Sequence, residues 1–110
     1  MSEQDIADRY FAAMRAQDLD ALLEVFDEAG IIVWPDGRRI EGKSAIRETY
    51  ARLFQNPSNN PDPGALMIGP DSFAAEVASR FASGETRRTT NVFRLAANGL
   101  IARMDSYRQD

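Results

Sequence analysis

Apolar side chains recur every three or four positions in three stretches of the chain, a spacing that is typical of the buried face of an amphipathic helix. The first stretch predicts a helix from about Glu3 to Ala16. Asp18 is a suitable N-cap for a second, shorter helix through Phe26. A third helix is predicted within residues 43–54. The first half of the chain is therefore expected to be mainly helical.

The first and third helices each carry a tyrosine on their apolar face. Tyr10 shares a face with Ile6 and Met14, and Tyr50 shares one with Ile46. A buried phenol needs a hydrogen-bond partner. Two interpretations follow from the pattern alone: the two hydroxyls satisfy each other in the core, or they point into a pocket.

The rest of the chain has the composition of strands and turns. Residues 31–33 predict a short buried strand that ends at the Trp34-Pro35 step, and Asp36-Gly37 predicts a hairpin turn before a returning strand at 38–41. Residues 55–64 contain three prolines and three asparagines without periodicity, which predicts a surface loop. Further strands are expected at residues 66–68, 73–82, 86–95 and 100–108.

The last two strands can be aligned if Asn98-Gly99 is a two-residue turn. The predicted partners are Ala97 with Leu100, Leu95 with Ala102, Phe93 with Met104, and Asn91 with Ser106. This face is the more apolar one and is expected to face the core, with Asn91 and Ser106 at its polar end. The opposite face carries Arg94, Arg103, Asp105 and Tyr107, a mixed surface suited to water or to another subunit.

Three helices followed by a series of antiparallel strands predict an α+β fold, with the helices packed on one face of the sheet. A chain of 110 residues is long enough for one hydrophobic core. We therefore expect residues 1–110 to form a single domain.

The composition excludes several kinds of site. Cysteine and histidine are absent, so disulfides, thiol nucleophiles, imidazole bases and the common zinc, haem and iron–sulfur ligand sets are excluded, and no cofactor or metal is expected. Proton transfer would depend on carboxylates, tyrosines or water. The net charge is −4, and the pairs Arg38-Arg39 and Arg87-Arg88 are too short to bind nucleic acid.

Membrane insertion and secretion are not expected either. No apolar run approaches the roughly 18 residues of a membrane span, and the polar start lacks the apolar segment of a signal peptide. The expected location is the cytoplasm.

The residue pattern resembles that of a known family. The residues that carry this resemblance are Arg9-Tyr10, Asp18-Leu19-Asp20, Phe26, Pro35, Gly42, Ala45-Ile46-Arg47-Glu48, Tyr50, Phe93-Arg94-Leu95 and Met104. Over nearly its whole length the chain resembles the ketosteroid isomerase-like and SnoaL-like branch of the nuclear transport factor 2-like fold, which also includes limonene epoxide hydrolase. The resemblance implies a cone-shaped, cystatin-like roll with three N-terminal helices on a curved, mostly antiparallel sheet. It also implies a homodimer that forms through the outer sheet face.

The resemblance assigns roles to four positions. Tyr10 falls where the isomerases keep the tyrosine that hydrogen-bonds the substrate's carbonyl oxygen, and Tyr50 falls where a second tyrosine can support it. Asn91 falls on the acid that is the other oxyanion donor; the acid must be held neutral to donate, whereas an amide donates at any pH. Trp34 occupies the position of the aspartate base, and indole cannot act as a base.

Three other carboxylates are candidates to replace that base. Asp36 lies two residues beyond Trp34 but belongs to a turn. Glu76 has apolar neighbours of the opposite parity, so it is expected on the surface. Asp105 with Arg103 is similar to the pair in the epoxide hydrolases, but the predicted hairpin register places both on the outer face.

These inferences predict a pocket with a polar base. Tyr10 and Asn91 are expected to hold a keto or phenolic oxygen of a small hydrophobic molecule. The predicted substrate-binding residues are Phe26, Trp34, Tyr50, Phe54, Phe93, Met104 and Ser106. Two alternatives remain open: an isomerase, polyketide cyclase or epoxide hydrolase that uses another carboxylate, and a noncatalytic interaction module.

Overall fold

The computed structural model describes residues 2–55, 60–81 and 83–109, with no side chains described for residues 60–62. The elements in chain order are α1 (Glu3–Ala16), α2 (Leu19–Glu24), β1 (Phe26–Val33), β2 (Arg39–Glu41), α3 (Lys43–Leu53), β3 (Asn60–Gly69), β4 (Ser72–Arg80), β5 (Thr86–Leu95) and β6 (Ile101–Arg108). Among the described helices, none is both long enough and apolar enough to cross a membrane.

The six strands form one sheet in the order β2-β1-β6-β5-β4-β3. β1 and β6 are parallel, and the other neighbouring strands are antiparallel. The three helices and the mostly antiparallel sheet confirm the predicted α+β fold class. The last strand of the fold, β6, lies in the middle of the sheet rather than at an edge.

Helix α1 has the predicted bounds because both of its ends are capped. Ser2 and Asp5 form a capping box at the start, in which each side chain accepts a hydrogen bond from the other residue's backbone N–H. Gln17 adopts a left-handed conformation with φ of 53° and ends the helix. As predicted, Asp18 caps α2, and its side chain accepts a hydrogen bond from the Ala21 N–H at 3.1 Å.

The prediction that α2 continues through Phe26 was wrong, since Phe26 begins β1. The carbonyl of Val25 accepts a hydrogen bond from the Ile101 N–H at 2.8 Å, so pairing with the sheet replaces the next helical turn. Gly30 lies inside β1, where the pairing with β6 is irregular between Phe26 and Ile31. A Cβ atom at Gly30 would lie 3.0 Å from the Asp27 carbonyl oxygen, a tight contact, so this irregular segment favours glycine.

The predicted loop at residues 55–64 is partly a strand, because β3 already begins at Asn60 and pairs with β4. Pro61 and Pro63 are accommodated because β3 is an edge strand, where one side of the backbone has no neighbouring strand. The remainder of that loop, residues 56–59, lies outside the described residues. So does Ala82, the predicted end of β4, and β4 itself ends at Arg80.

The β5–β6 hairpin has the predicted register at the candidate site residues. Phe93 pairs with Met104 and Asn91 pairs with Ser106, as expected. Nearer the turn the predicted partners were wrong, because Leu95 pairs with Ile101. The connection is one residue longer than a two-residue turn: the Ala96 N–H donates to the Leu100 carbonyl, and Gly99 adopts a φ of 82°. A bulge in β6 absorbs the difference.

Aromatic rings form the centre of the core between α1 and the sheet. Phe73 and Phe93 stack with ring centres 4.5 Å apart, and Phe93 meets the Tyr10 ring edge-on at 5.0 Å. Phe26 lies 6.2 Å from the rings of both Tyr10 and Tyr50. Each such buried ring contributes about 1.5–3 kcal/mol of hydrophobic stabilisation. The two tyrosines are therefore held in place by rigid neighbours.

Candidate functional site

A cavity of about 920 Å³ opens between the helices and the inner face of the sheet. α1 and α3 provide one wall, and β4, β5 and β6 provide the other. Six of the nine predicted site residues line it: Tyr10, Trp34, Tyr50, Asn91, Met104 and Ser106. The fold therefore brings together positions that are up to 96 residues apart in the chain.

β5 runs from the mouth of the cavity to its floor. Alternate residues of a strand share a face, so Arg87, Thr89, Asn91 and Phe93 form one inward row. Arg87 is exposed, Thr89 is half-buried, and Asn91 and Phe93 are buried. Asn91 consequently lies deep in the cavity, above the aromatic core.

The two inward tyrosines form a hydrogen-bonded pair at the floor. Their hydroxyl oxygens are 2.9 Å apart, and the Tyr10 hydroxyl also lies 3.6 Å from the Met104 Sδ. Tyr10 can donate its single proton to Met104 only if it accepts the proton of Tyr50. The order of donation is therefore from Tyr50 to Tyr10 and from Tyr10 to the thioether.

The pKa values agree with this order. Burial raises the pKa of Tyr10 to about 12, partly offset by the hydrogen bond from Tyr50. Burial, together with the charge that Tyr10 would carry and the hydrogen bond to it, raises the pKa of Tyr50 well above its ordinary value. Both phenols are neutral at physiological pH and can donate hydrogen bonds.

Asn91 is the one described residue with a buried side-chain polar atom that lacks a partner. The residue is 8% exposed, and its Oδ1 atom accepts no hydrogen bond within the described part of the chain. Ser106, 6% exposed, lies directly opposite on β6. An unpartnered buried acceptor costs about 1–3 kcal/mol, so such a group is retained in a fold when it serves another purpose.

Trp34 stands at the end of β1, on the wall of the cavity. A tight turn holds it, because the Trp34 N–H donates to the Arg38 carbonyl at 2.9 Å and the Gly37 N–H donates to the Trp34 carbonyl at 2.8 Å. The indole is half-buried and packs against the core. It provides an apolar, aromatic surface to a flat guest.

Among the described residues, no carboxylate lies deep enough in the cavity to replace the missing base. Asp36 lines the cavity, but its side chain is 65% exposed and accepts a hydrogen bond from the Arg38 N–H. Glu85 also lines the mouth, with its side chain 56% exposed beside Arg87. Glu76 is exposed on β4, as its parity predicts.

Asp105 lies on the outer sheet face, away from the cavity. Its carboxylate accepts two hydrogen bonds from Arg103 at 2.9 and 3.0 Å and one from Arg94 at 3.0 Å. The hydrogen bonds from Arg103 lower its pKa below the ordinary value. The Arg and Asp pair that resembled the epoxide hydrolase set is therefore an outer ion-pair cluster and is not part of the cavity.

Three of the predicted pocket residues do not line the cavity. Phe26 and Phe93 are fully buried beneath Tyr10, where they support the floor. Phe54, half-buried at the end of α3, packs 6.0 Å from the Tyr50 ring. The pattern correctly marked these rings as inward-facing, but helix and strand periodicity cannot distinguish a cavity wall from the layer behind it.

Other lining residues were not foreseen. Phe11 and Met14 extend the apolar wall along α1, and the spacing of Met14 from Tyr10 could have indicated it. Several arginines surround the mouth. Within the described residues, no group of three acidic side chains is close enough to hold a metal ion.

The model of the SnoaL-like domain family matches residues 7–104. The chain belongs to the SnoaL-like domain family. No curated protein matches the sequence of this SnoaL-like domain. The match confirms the family expected from the residue pattern.

Solved structures show the same fold as this SnoaL-like domain. A proposed polyketide cyclase from Sinorhizobium meliloti is 28% identical, with a TM-score of 0.79 over 93% of each chain. An NTF2-like protein of unknown function from Mesorhizobium loti is 22% identical, with a TM-score of 0.88 over 97% of this chain and 90% of that chain. A Mycobacterium tuberculosis protein, solved in complex with estradiol-17β-hemisuccinate, is 22% identical, with a TM-score of 0.77 over 94% of this chain and 91% of that chain. The architecture is the cystatin-like NTF2 fold.

Proposed function

We propose that this SnoaL-like domain binds a small hydrophobic molecule and directs a keto or phenolic oxygen of that molecule toward Tyr10 and Asn91. The observation that carries the proposal is the buried, unpartnered Oδ1 of Asn91 in the same cavity as the hydroxyl of Tyr10. This oxygen can accept from the O–H of a phenolic guest, whereas the Nδ2 of the same amide would donate to a keto oxygen. Apolar walls with a few polar groups at depth are typical of small-molecule sites. The estradiol derivative bound by the Mycobacterium tuberculosis relative is a phenolic molecule of this kind.

Tyr10 is well placed to exchange its present acceptor for a guest oxygen. A thioether sulfur is a weak acceptor, and the contact to Met104 is long at 3.6 Å. A carbonyl or phenolic oxygen accepts more strongly, and Tyr50 continues to donate to Tyr10 while the exchange occurs. A typical hydrogen bond adds about 0.5–1.5 kcal/mol net.

Recognition rather than proton transfer is the activity that this site supports best. Oxyanion donors of this kind contribute roughly 3–4 kcal/mol to a transition state, but a positioned base contributes about 10²- to 10⁴-fold in rate, and Trp34 cannot act as one. A cyclase-like or isomerase-like reaction is the second candidate. It is favoured by the 28% identity to the Sinorhizobium meliloti protein. Its base would be Asp36, one of two carboxylates at the mouth, so the reacting carbon would have to lie near the mouth rather than at the floor.

We also propose that two copies pair through the outer sheet face and that the protein acts in the cytoplasm. The exposed Met67 and Tyr107, 53% and 54% exposed, lie on the outer face by strand parity. Tyr107 lies beside the ion-pair cluster of Asp105 on β6, and Met67 lies on the edge strand β3 of the same face. The combination gives this face a mixed character that suits a subunit contact.

A fluorescence titration tests the binding proposal, because Trp34 is the only tryptophan of the chain and lines the cavity. Titration with a phenol such as estradiol is expected to change its emission in a saturable way. Tyr10→Phe is expected to weaken binding about 3- to 30-fold, the equivalent of one hydrogen bond or slightly more. Tyr107→Phe is the matched control, since it removes an exposed outer-face hydroxyl.

The outcomes separate the candidates. No saturable change in the parent protein would contradict the binding proposal. Equal affinity in the parent and in Tyr10→Phe would place the guest elsewhere. Turnover of an unsaturated ketone that is lost in Asp36→Asn would favour the enzymatic candidate.

A further inference from the structure

The mouth of the cavity carries an excess of positive charge in an acidic protein. Five arginines line it, together with two acidic residues, Asp36 and Glu85. This arginine collar consists of Arg38, Arg52, Arg87, Arg88 and Arg108. Because the whole chain has a net charge of −4 with 13 basic and 17 acidic residues, the mouth carries +3 and the remainder −7. The field at the mouth therefore opposes that of the rest of the protein and attracts anions.

The collar lies directly above the polar floor. Arg108 shares the inward face of β6 with Ser106, and Arg87 shares that of β5 with Asn91. Arg87 lies four residues along β5 from Asn91, or about 13 Å at roughly 3.3 Å per residue, whereas Arg108 pairs with Thr89 and so lies two residues, or about 7 Å, from the level of Asn91. A guest that touches both the floor and the collar therefore needs two polar groups separated by about 7–13 Å along the strands.

The collar already holds carboxylates of the chain itself. The Asp36 carboxylate lies 3.6 Å from Arg38, and the Glu85 carboxylate lies 3.2 Å from Arg87. Arg52, Arg88 and Arg108 are exposed and pair with no carboxylate in the described part of the chain. The planar guanidinium fork fits a carboxylate with two parallel hydrogen bonds. Three collar positions are therefore open to the same kind of group, and because strand parity puts Arg88 on the opposite face of β5 from Asn91, Arg52 and Arg108 are the two best suited to a guest in the cavity.

We infer that the guest of this domain is an amphipathic carboxylate. Its apolar body occupies the cavity with an oxygen at the floor, and its carboxylate at the opposite end contacts Arg52 and Arg108. This inference rests on the proposed function and adds the charge and length of the guest. It also gives the guest one orientation, with the acid outward, since burying the carboxylate at the floor would leave it without a cation.

Three related ligands test the inference: estradiol, its 17β-hemisuccinate, and the methyl ester of that hemisuccinate. The ester has nearly the size of the acid but no charge. Titrations that follow Trp34 emission are expected to show the acid binding about 5- to 30-fold more tightly than the ester, the equivalent of one or two partly exposed ion pairs. This ratio is expected to fall toward one at about 1 M salt, where charge interactions extend only about 3 Å.

Arginine variants locate the effect. Arg108→Gln and Arg52→Gln are each expected to lower the ratio of acid to ester affinity about 3- to 5-fold. Arg15→Gln changes the net charge equally, but Arg15 is exposed on α1 and does not line the cavity, so its ratio is expected to match the parent. The ratio corrects for any general effect of a variant on the fold.

Each failure has its own signature. If estradiol and the ester bind but the acid binds no more tightly, the inference is overturned while the proposed function stands. If Arg15→Gln lowers the ratio of acid to ester affinity as much as the collar variants do, the overall charge of the protein rather than the collar causes the preference. That result would also overturn the inference. If no ligand changes Trp34 emission, the proposed function falls and the inference with it.

Discussion

Replacing Asn91 by leucine is expected to stabilise the protein while weakening its binding. The Oδ1 atom of Asn91 is buried without a hydrogen-bond partner in the described structure, which costs about 1–3 kcal/mol. Leucine has nearly the same shape, carries no polar atom and suits a strand better than asparagine. Adjacent apolar surface from Phe93 and Met104 can pack against it. The free energy of unfolding should therefore rise by about 1–2 kcal/mol.

Thermal and urea unfolding measure the effect. For a domain of this size, 1 kcal/mol corresponds to about 4–8 °C in the unfolding midpoint. Asn98→Ala is a control of opposite sign, because Asn98 donates to Asp27 at 2.9 Å and accepts from the Leu100 N–H at 3.0 Å. Its loss should lower stability by about 0.5–2 kcal/mol.

A loss of stability in Asn91→Leu would contradict this prediction. Such a loss would mean that the amide makes hydrogen bonds that hold the fold together. A stable variant with undiminished affinity for estradiol would instead remove Asn91 from the binding site. Only a gain of stability together with weaker binding supports the proposed role.

Three further predictions concern the rest of the fold. The contribution of Tyr10 to the unfolding free energy should be constant up to about pH 9 and fall above pH 10, because the unfolded Tyr10 ionises near its ordinary pKa whereas the folded one holds its proton to about pH 12. Tyr10→Phe should flatten this fall in urea titrations. Asp105→Asn should cost about 1.5–3 kcal/mol at pH 7. The parent should lose the stability contributed by the ionised Asp105 carboxylate as the pH falls below 3.8 and through its lowered pKa, as acid unfolding will show. Gly30→Ala should cost about 1–3 kcal/mol, since its Cβ would contact backbone at 3.0 Å, whereas Gly64→Ala, with 3.4 Å to its nearest neighbour, should cost less in the same urea assay.

The sequence pattern predicted those features correctly that depend mainly on residues close together in the chain. The bounds of α1 follow from its caps, and the inward faces of Tyr10 and Tyr50 follow from helical spacing. The predicted pairing of Asn91 with Ser106 is also correct, although the turn is one residue longer than predicted, because the bulge in β6 restores the register beyond it. These features require only neighbouring residues.

The errors occurred where distant segments compete. Phe26 has helical spacing with Leu22 and Leu23, but hydrogen bonds to β6 draw it into a strand. Residues 60–63 have loop composition, but pairing with β4 makes them strand. The arginine collar could not be predicted because its members come from four separate segments and meet only in the folded chain.

The central position of β6 affects how the domain is made. During translation the three helices and strands β1 to β5 leave the ribosome before β6. Strands β1 and β5 both pair with β6, so each lacks that partner until residues 101–108 emerge. Until then two unpaired strand edges are available to other nascent chains. Translation that stops before Ile101 should yield an aggregating fragment rather than a smaller working protein.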